Sequence, residues 1–179
     1  GGSNVEQDWI DYSDSSNGII VDLSQSVSYT STSDSNLNGN YNQVVNIDDN
    51  TQVDYITQIE NIIGTDQVDT LGGDGGNNTI YAGLGNDTFL LSSGDDTLYG
   101  EDGEDWLDLS NRSVNINLYD SRYNDIENIV DSTSSTGTRD FRGTNETNRF
   151  ITHDGNDYVY GRGGDDIYDL GDGNDIARA

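Results

Sequence analysis

Acidic and amide side chains recur every nine residues in two stretches of the chain. The spaced residues of the first stretch are Asp69, Asn78, Asp87, Asp96 and Asp105. Those of the second stretch are Asn148, Asp157, Asp166 and Asp175, and Arg139 stands in the same phase one period before Asn148. Carboxylate and amide oxygens are hard ligands, and Ca²⁺ takes about six to eight of them. The spacing therefore predicts repeated calcium binding rather than one catalytic centre.

Glycine and large apolar residues follow the same period. When the chain is written in nines from Gly64, position four is mostly glycine and position eight is always large and apolar in the first stretch. The position-eight residues there are Leu71, Ile80, Phe89, Leu98 and Leu107. Glycine allows the left-handed conformations of tight turns, and apolar residues at one fixed position face a core. Each nonad is therefore predicted to form a six-residue turn followed by a short inward-facing strand.

Two nonads make one coil of a β-solenoid, so the position-six residues of nonads n and n+2 lie on one edge, one coil apart. In the first array (64–108), Asp69, Asp87 and Asp105 share one edge and Asn78 and Asp96 share the other, which predicts three calcium ions. In the second array (134–179), the pairs Asp157/Asp175 and Asn148/Asp166 predict one or two. The Arg139/Asp157 pair is predicted to hold no ion, because a guanidinium takes the ligand position.

The arrays are set within a single predicted module, 1–179. Residues 1–63 are read as strands with an insertion at 25–55, and 109–133 as connecting strands. The segment QDWIDYS (7–13) resembles EDWLDLS (104–110), and alternating apolar residues follow each copy, as in β-strands. Trp9 and Trp106 are equivalent in this duplication, which favours packing roles. The insertion could form a hairpin, and it is either a tolerated surface loop or a ligand-contacting loop.

Composition excludes several functions. The 179 residues contain 34 acidic and 7 basic residues, a net charge of -27, which disfavours nucleic acid and anionic membranes as partners. No stretch is apolar enough to insert in a membrane. Without cysteine and with one histidine, His153, the chain lacks the parts of a zinc site or a nucleophile–histidine pair, so an enzyme is not expected. The opening Gly1-Gly2-Ser3 is typical of a segment of a longer chain, and the module is expected to be monomeric.

The nonads match the pattern G-G-x-G-x-D-x-U-x. Together with the segments DWIDYS, IIVDLS and IENIIGT, they resemble bacterial repeats-in-toxin (RTX) proteins. The resemblance implies an all-β fold, a right-handed parallel β-roll, with Ca²⁺ as the cofactor that induces folding outside the cell. It also implies secretion to the medium or the bacterial cell surface.

The module is most similar to the ligand-binding modules of large RTX adhesins. That similarity implies calcium-assisted binding of a peptide C-terminus or a sugar on another cell surface, for adhesion or biofilm formation. Tyr29, Tyr41 and Tyr81 are the expected ligand contacts, because aromatic rings supply apolar contact beside a polar site. The alternative is a non-binding RTX segment that serves the folding and secretion of a toxin or hydrolase.

Overall fold

The structure is a computed structural model that describes residues 7–29, 39–46, 53–109, 112–131 and 137–179. Its regular elements are short β-strands, most of them paired in parallel, so the predicted all-β parallel solenoid is confirmed. The described residues contain no helix with the length and apolarity needed to cross a membrane.

The strands of the described residues, numbered β1 to β19 along the chain, form three sheets. The five-stranded sheet contains β1 (Trp9–Asp11), β6 (Asn61–Ile63), β8 (Thr79–Leu84), β10 (Thr97–Asp102) and β13 (Tyr123–Asn124). The ten-stranded sheet contains β2 (Ile19–Asp22), β3 (Val27–Tyr29), β4 (Gly39–Asn46), β5 (Val53–Ile56), β7 (Thr70–Gly72), β9 (Thr88–Leu90), β11 (Trp106–Asp108), β14 (Asn128–Val130), β16 (Arg149–Ile151) and β18 (Ile167–Asp169). The four-stranded sheet contains β12 (Ile116–Asn117), β15 (Asp140–Arg142), β17 (Tyr158–Tyr160) and β19 (Ile176–Arg178).

The strand register follows the nonapeptide period. Leu71 of β7 pairs with Phe89 of β9, and Phe89 pairs with Leu107 of β11. Strands of one sheet therefore repeat every second nonad, as predicted. The ladder continues from Leu107 through Ile129 of β14 to Phe150 of β16. Because β14 joins the two arrays on one sheet, they form a single continuous solenoid.

The core is a thin column of position-eight side chains between the facing sheets. Leu71, Phe89, Leu107, Phe150 and Val159 are at most 1% exposed. Toward the end of the second array Tyr168 is only partly buried, and Ala177 is exposed. The apolar contact that stabilises each coil therefore decreases toward the last coil.

The insertion at 25–55 extends the ten-stranded sheet. β4 pairs antiparallel with β2, β3 and β5, so the predicted hairpin is present, while residues 30–38 and 47–52 lie outside the described residues. Val44 of β4 is 3% exposed and belongs to the core. The hairpin therefore covers the edge of β2, and an open sheet edge is a site of unwanted pairing.

Candidate calcium sites

The position-six side chains form two ladders along the edges of the solenoid. The first ladder consists of Asp69, Asp87, Asp105, Glu127, Asn148 and Asp166. The second ladder consists of Glu60, Asn78 and Asp96, followed by Arg139, Asp157 and Asp175. A rung is one position-six residue of a ladder. Within the arrays, each position-six carboxylate that follows another rung accepts a hydrogen bond from the backbone N–H of the position-six residue 18 residues earlier. Asp69 N–H, for example, donates to Asp87 Oδ1 at 2.8 Å, and Asp157 N–H donates to Asp175 Oδ1 at 2.8 Å.

The predicted pairs of ligands are therefore neighbours in space. Asp87 N–H donates to Asp105 Oδ1 at 2.8 Å. Asn78 N–H donates to Asp96 Oδ1 at 3.0 Å on the other edge. In the second array Asn148 N–H donates to Asp166 Oδ1 at 3.0 Å. The identity of the residues that bind the ion stays a prediction.

The turns that begin each array are closed by the protein itself. Thr65 N–H donates to Asp69 Oδ2 at 2.6 Å. Asp74 N–H donates to Asn78 Oδ1 at 3.0 Å, and Thr144 N–H donates to Asn148 Oδ1 at 2.7 Å. The two asparagines also bridge to the preceding coil, because their amide nitrogens donate to the carbonyls of Glu60 and Glu127 at 2.6 and 2.8 Å. These turns satisfy their position-six side chains without a cation.

Three of the later turns are left open, whereas in the Asp96 turn Ser92 Oγ donates to Asp96 Oδ2 at 2.6 Å. Asp87, Asp105 and Asp157 are fully buried, and the Oδ2 atom of each has no hydrogen-bond partner in the protein. In the Asp87 and Asp105 turns the position-two residues, Gly83 and Glu101, have left-handed φ angles of 107° and 66°. The backbone N–H that closes the earlier turns is thus directed elsewhere. A buried carboxylate oxygen without a partner is costly, and a hard cation would satisfy it.

The electrostatics of the first ladder point the same way. Burial is the main cause that raises the pKa of Asp87 to about 7, although the hydrogen bond from Asp69 N–H acts to lower this pKa. The carboxylates of Asp105 and Asp69 also raise it. Burial raises the pKa of Asp105 to about 6, with a contribution from Glu127. Like charges stacked in a buried column disfavour ionisation. A divalent cation would neutralise them.

Glycine makes room for these oxygens. A Cβ on Gly64 would fall against Asp69 Oδ2, and one on Gly100 would fall against Asp105 Oδ2, although neither glycine has a left-handed φ. A Cβ on Gly103 would collide with the carbonyl oxygen of Gly85, one coil earlier. Position-one and position-four glycines therefore let side-chain and backbone oxygens approach each other closely.

The side chain of Arg139 has its counter-ion within the protein. Its guanidinium is 3% exposed and forms an ion pair with Asp131, which is fully buried. It also donates to Ser113 Oγ at 3.1 Å, and Arg139 N–H donates to Asp157 Oδ1 at 3.1 Å. A protein cation thus lies at the rung that was predicted to hold no calcium.

The nonapeptide pattern did not predict two of the ladder positions. Glu60 and Glu127 occupy position six of the coils 55–63 and 122–130, whose strands β6 and β14 pair with array strands. Position four of these coils is Gln58 and Asp125, and both have a positive φ, 57° and 52°, as Gly85 and Gly94 do at the same position with 131° and 107°. These coils do not match the nonapeptide pattern because they lack the position-four glycine. The only feature of the pattern that they keep at the ladder is the acidic residue two positions after each residue with positive φ.

The oxygens present fit Ca²⁺. Among the described residues no three acidic or histidine side chains converge on a point. The carboxylates instead come in pairs, one from each of two coils. Backbone carbonyls must therefore complete the coordination of Ca²⁺, which takes about six to eight oxygens. The unpartnered Oδ2 atoms and the glycine-lined approaches supply such a mixed donor set. A bound ion would join successive coils and cancel their repulsion.

Two of the three expected ligand contacts, Tyr29 and Tyr41, lie in the β3–β4 hairpin, and the third, Tyr81, lies in a different sheet. Tyr41 belongs to β4, where it meets Tyr55 edge-on at 6.3 Å, and Tyr29 pairs with Gly39 in the same hairpin. Tyr81 lies on the outer face of the five-stranded sheet. It stacks on Tyr99 at 4.4 Å, and the 45% exposed Trp9 stacks on Tyr81 at 5.9 Å.

The fold and the ladders define a β-solenoid with calcium positions along its edges. The family model of the RTX calcium-binding nonapeptide repeat, described as four copies, matches residues 58–89, 86–111 and 142–177, which together make up half of the chain. The chain belongs to this RTX repeat family, and its repeats bind Ca²⁺. Proteins of this kind are typically secreted by bacteria, which supports an extracellular location. No curated protein matches the chain.

Proposed function

We propose that the chain is a calcium-dependent ligand-binding module of a secreted RTX adhesin, and that its ligand is a peptide C-terminus. The observation that carries the proposal is a groove of about 390 Å³ where the two arrays meet, which we name the junction groove. It is lined by Glu104, Trp106, Glu127, Asn128, Glu146, Thr147, Arg149 and Ile167. Concave sites with aromatic walls and a few polar groups are the usual places for ligands.

Trp106 and Arg149 give the junction groove its recognition chemistry. Trp106 lies on the outer face of β11 and not in the core, so core packing does not account for it. The Arg149 guanidinium lies 5.6 Å from the centre of its ring. Ile167, 53% exposed, adds apolar surface. A guanidinium binds carboxylates in a fork geometry, and an indole packs against an apolar side chain.

Charge explains why binding would need calcium. Glu104, Glu127 and Glu146 line the junction groove opposite one guanidinium, so without a cation the groove repels a carboxylate. Glu127 also belongs to the first ladder and accepts a hydrogen bond from Asp105 N–H. Calcium beside Asp105 would lower this negative potential. A ligand with one carboxylate and an apolar side chain then matches the groove better than a neutral sugar does.

The proposal is tested by titrating labelled peptides and following their fluorescence anisotropy. Free-acid and C-terminally amidated peptides are compared in calcium and in chelator, with wild type, Arg149→Gln and Arg178→Gln. Arg178 is the matched control, since its guanidinium also lies 5.6 Å from an aromatic ring, that of Tyr160, in a different sheet. Calcium-dependent binding of the free acid alone, weakened about tenfold or more by Arg149→Gln only, is expected.

Equal affinity for free-acid and amidated peptides would contradict the carboxylate site. Glycan binding that competes with no peptide would shift the ligand class to sugars. Tyr29, Tyr41 and Tyr81 do not line the junction groove and remain predicted ligand contacts elsewhere on the molecule. A loss of peptide binding in Tyr81→Ser with unchanged binding in Arg149→Gln would favour that surface over the junction groove.

A non-binding folding and secretion segment is the second candidate. It is favoured by the hairpin of β4, because Val44 is buried and β4 covers the edge of β2. The insertion therefore has a structural use that requires no ligand. Failure of both the peptide and the glycan screens with calcium-loaded protein, combined with calcium-dependent folding, would support this second candidate.

We further propose that the chain acts without catalysis, as a monomeric module of a longer protein at the bacterial surface. Its single histidine, His153, is exposed in a turn, and its Nδ1 lies 3.3 Å from the carbonyl oxygen of Thr152. The chain has no cysteine. Turnover in a hydrolase substrate screen that is lost in His153→Ala would contradict this assignment.

A further inference from the structure

The coil between the two arrays continues the first ladder. Glu127 precedes β14, which lies between β11 and β16 in the ten-stranded sheet. Asp105 N–H donates to Glu127 Oε2 at 2.8 Å, just as Asp87 N–H donates to Asp105 Oδ1 at 2.8 Å. Glu127 is therefore the next rung after Asp105, although 22 residues separate the two instead of 18.

Two more oxygens meet at this rung. Asp105 is fully buried, and its Oδ2 atom has no hydrogen-bond partner. A Cβ on Gly100 would fall against this atom and also against the carbonyl oxygen of Asp125. Asp125 has a positive φ of 52°, and Gly85 and Gly94 at position four of the first array also have positive φ angles. The unpartnered carboxylate oxygen and the Asp125 carbonyl are therefore directed at one place.

The arrangement differs from the rungs that the protein closes by itself. At Asn148 an amide nitrogen donates to the Glu127 carbonyl at 2.8 Å, and Thr144 N–H satisfies the amide oxygen. The Asp105 carboxylate has no proton to donate, and Glu101, with a φ of 66°, supplies no N–H to Oδ2. Two carboxylates and a carbonyl remain with excess negative charge, which is the donor set of a hard cation.

We propose that Asp105, Glu127 and the Asp125 carbonyl hold a calcium ion at the junction, in addition to the ions predicted within the arrays. This ion ties the last coil of the first array to the coil from which the second array begins. Calcium binding by the two arrays is then coupled through one shared rung. The inference does not depend on ligand binding, because it is tested by the number of bound ions.

The test is native mass spectrometry and calorimetric titration of the whole chain with Ca²⁺. Glu127→Gln keeps the side-chain length and the acceptor for Asp105 N–H but removes the charge. Glu104→Gln, an exposed glutamate of the same groove, is the matched control. We expect Glu127→Gln to bind one ion fewer than wild type and Glu104→Gln to bind the same number. The calcium-induced folding transition of Glu127→Gln should also separate into two steps.

A second pair of variants guards against misfolding of Glu127→Gln. Gly100→Ala places a methyl group between Asp105 Oδ2 and the Asp125 carbonyl and should lose the same ion. Gly75→Ala is its control, since a Cβ there meets nothing within 4 Å. Wild-type ion number and affinity in folded Glu127→Gln, or in Gly100→Ala where Glu127→Gln does not fold, would overturn the inference.

Discussion

Replacing Asp87 by asparagine should change stability in opposite directions with and without calcium. The Asp87 side chain is fully buried between the Asp69 and Asp105 rungs, and its Oδ2 atom has no partner. Asparagine keeps the acceptor for Asp69 N–H and removes the charge. The chain already uses this solution at Asn78 and Asn148, whose amide nitrogens donate to the carbonyl of the preceding rung.

The size of the effect follows from the pKa of Asp87. Burial raises this pKa from 3.8 to about 7. Each tenfold change in ionisation corresponds to about 1.4 kcal/mol, so an ionised Asp87 costs the calcium-free fold up to about 4 kcal/mol above neutral pH. Asparagine should recover about 2–4 kcal/mol of this cost in chelator. In calcium, loss of one ion bound at a hundredfold excess over its Kd should lower the free energy of unfolding by about 2.7 kcal/mol.

The assay is urea unfolding followed by circular dichroism, in millimolar calcium and in chelator. A stabilising osmolyte populates the folded calcium-free chain. The control is Asp66→Asn, which removes the same charge from an exposed position of the first array. A shift of the same sign in both conditions, or equal shifts for Asp66→Asn and Asp87→Asn, would show that Asp87 is not a buried calcium ligand.

Three further predictions concern pH, the internal ion pair and the core. The raised pKa values of Asp87 and Asp105 mean that the calcium-free fold is favoured at low pH and destabilised as pH rises through about 6–7. Strand signal in chelator should therefore grow on acidification, while calcium affinity measured by calorimetry falls as protons compete. Arg139→Met leaves Asp131 buried without its counter-ion and should cost about 3–5 kcal/mol in urea unfolding without changing the ion count in native mass spectra. Phe89→Ala should cost about 3–5 kcal/mol in calcium through the cavity it leaves, and a thermal shift of no more than a degree would contradict the placement of Phe89 in the core.

The regular coils could be predicted because period and chemistry agree in them. Leu71, Phe89 and Leu107 repeat in phase with Asp69, Asp87 and Asp105, so one nine-residue pattern fixes both the inward face and the ladder. Arg139 stands in the same phase of the pattern, and the structure pairs its guanidinium with Asp131. Its partner Asp131 was not predictable, because Asp131 lies outside the nonapeptide period and its contact with Arg139 depends on tertiary packing.

The junction was missed for a physical reason. Gln58 and Asp125 adopt the left-handed turn conformation that usually selects glycine, so the pattern failed at the coils that carry Glu60 and Glu127. Whether the arrays lie on one axis also depended on β14, whose short sequence carries no marker of its place between β11 and β16. The open turns of Asp87 and Asp105 also depend on single φ angles, those of Gly83 and Glu101, and residue type alone does not determine the φ of Glu101.

Calcium completes this fold by satisfying buried carboxylates that the protein leaves unpartnered. Circular dichroism during a calcium titration of the chelated chain tests it most directly. We expect little stable strand signal in chelator at low salt and a cooperative gain at millimolar calcium, with no gain at matched ionic strength of a monovalent salt. A native-like spectrum that is unchanged by chelation would contradict it.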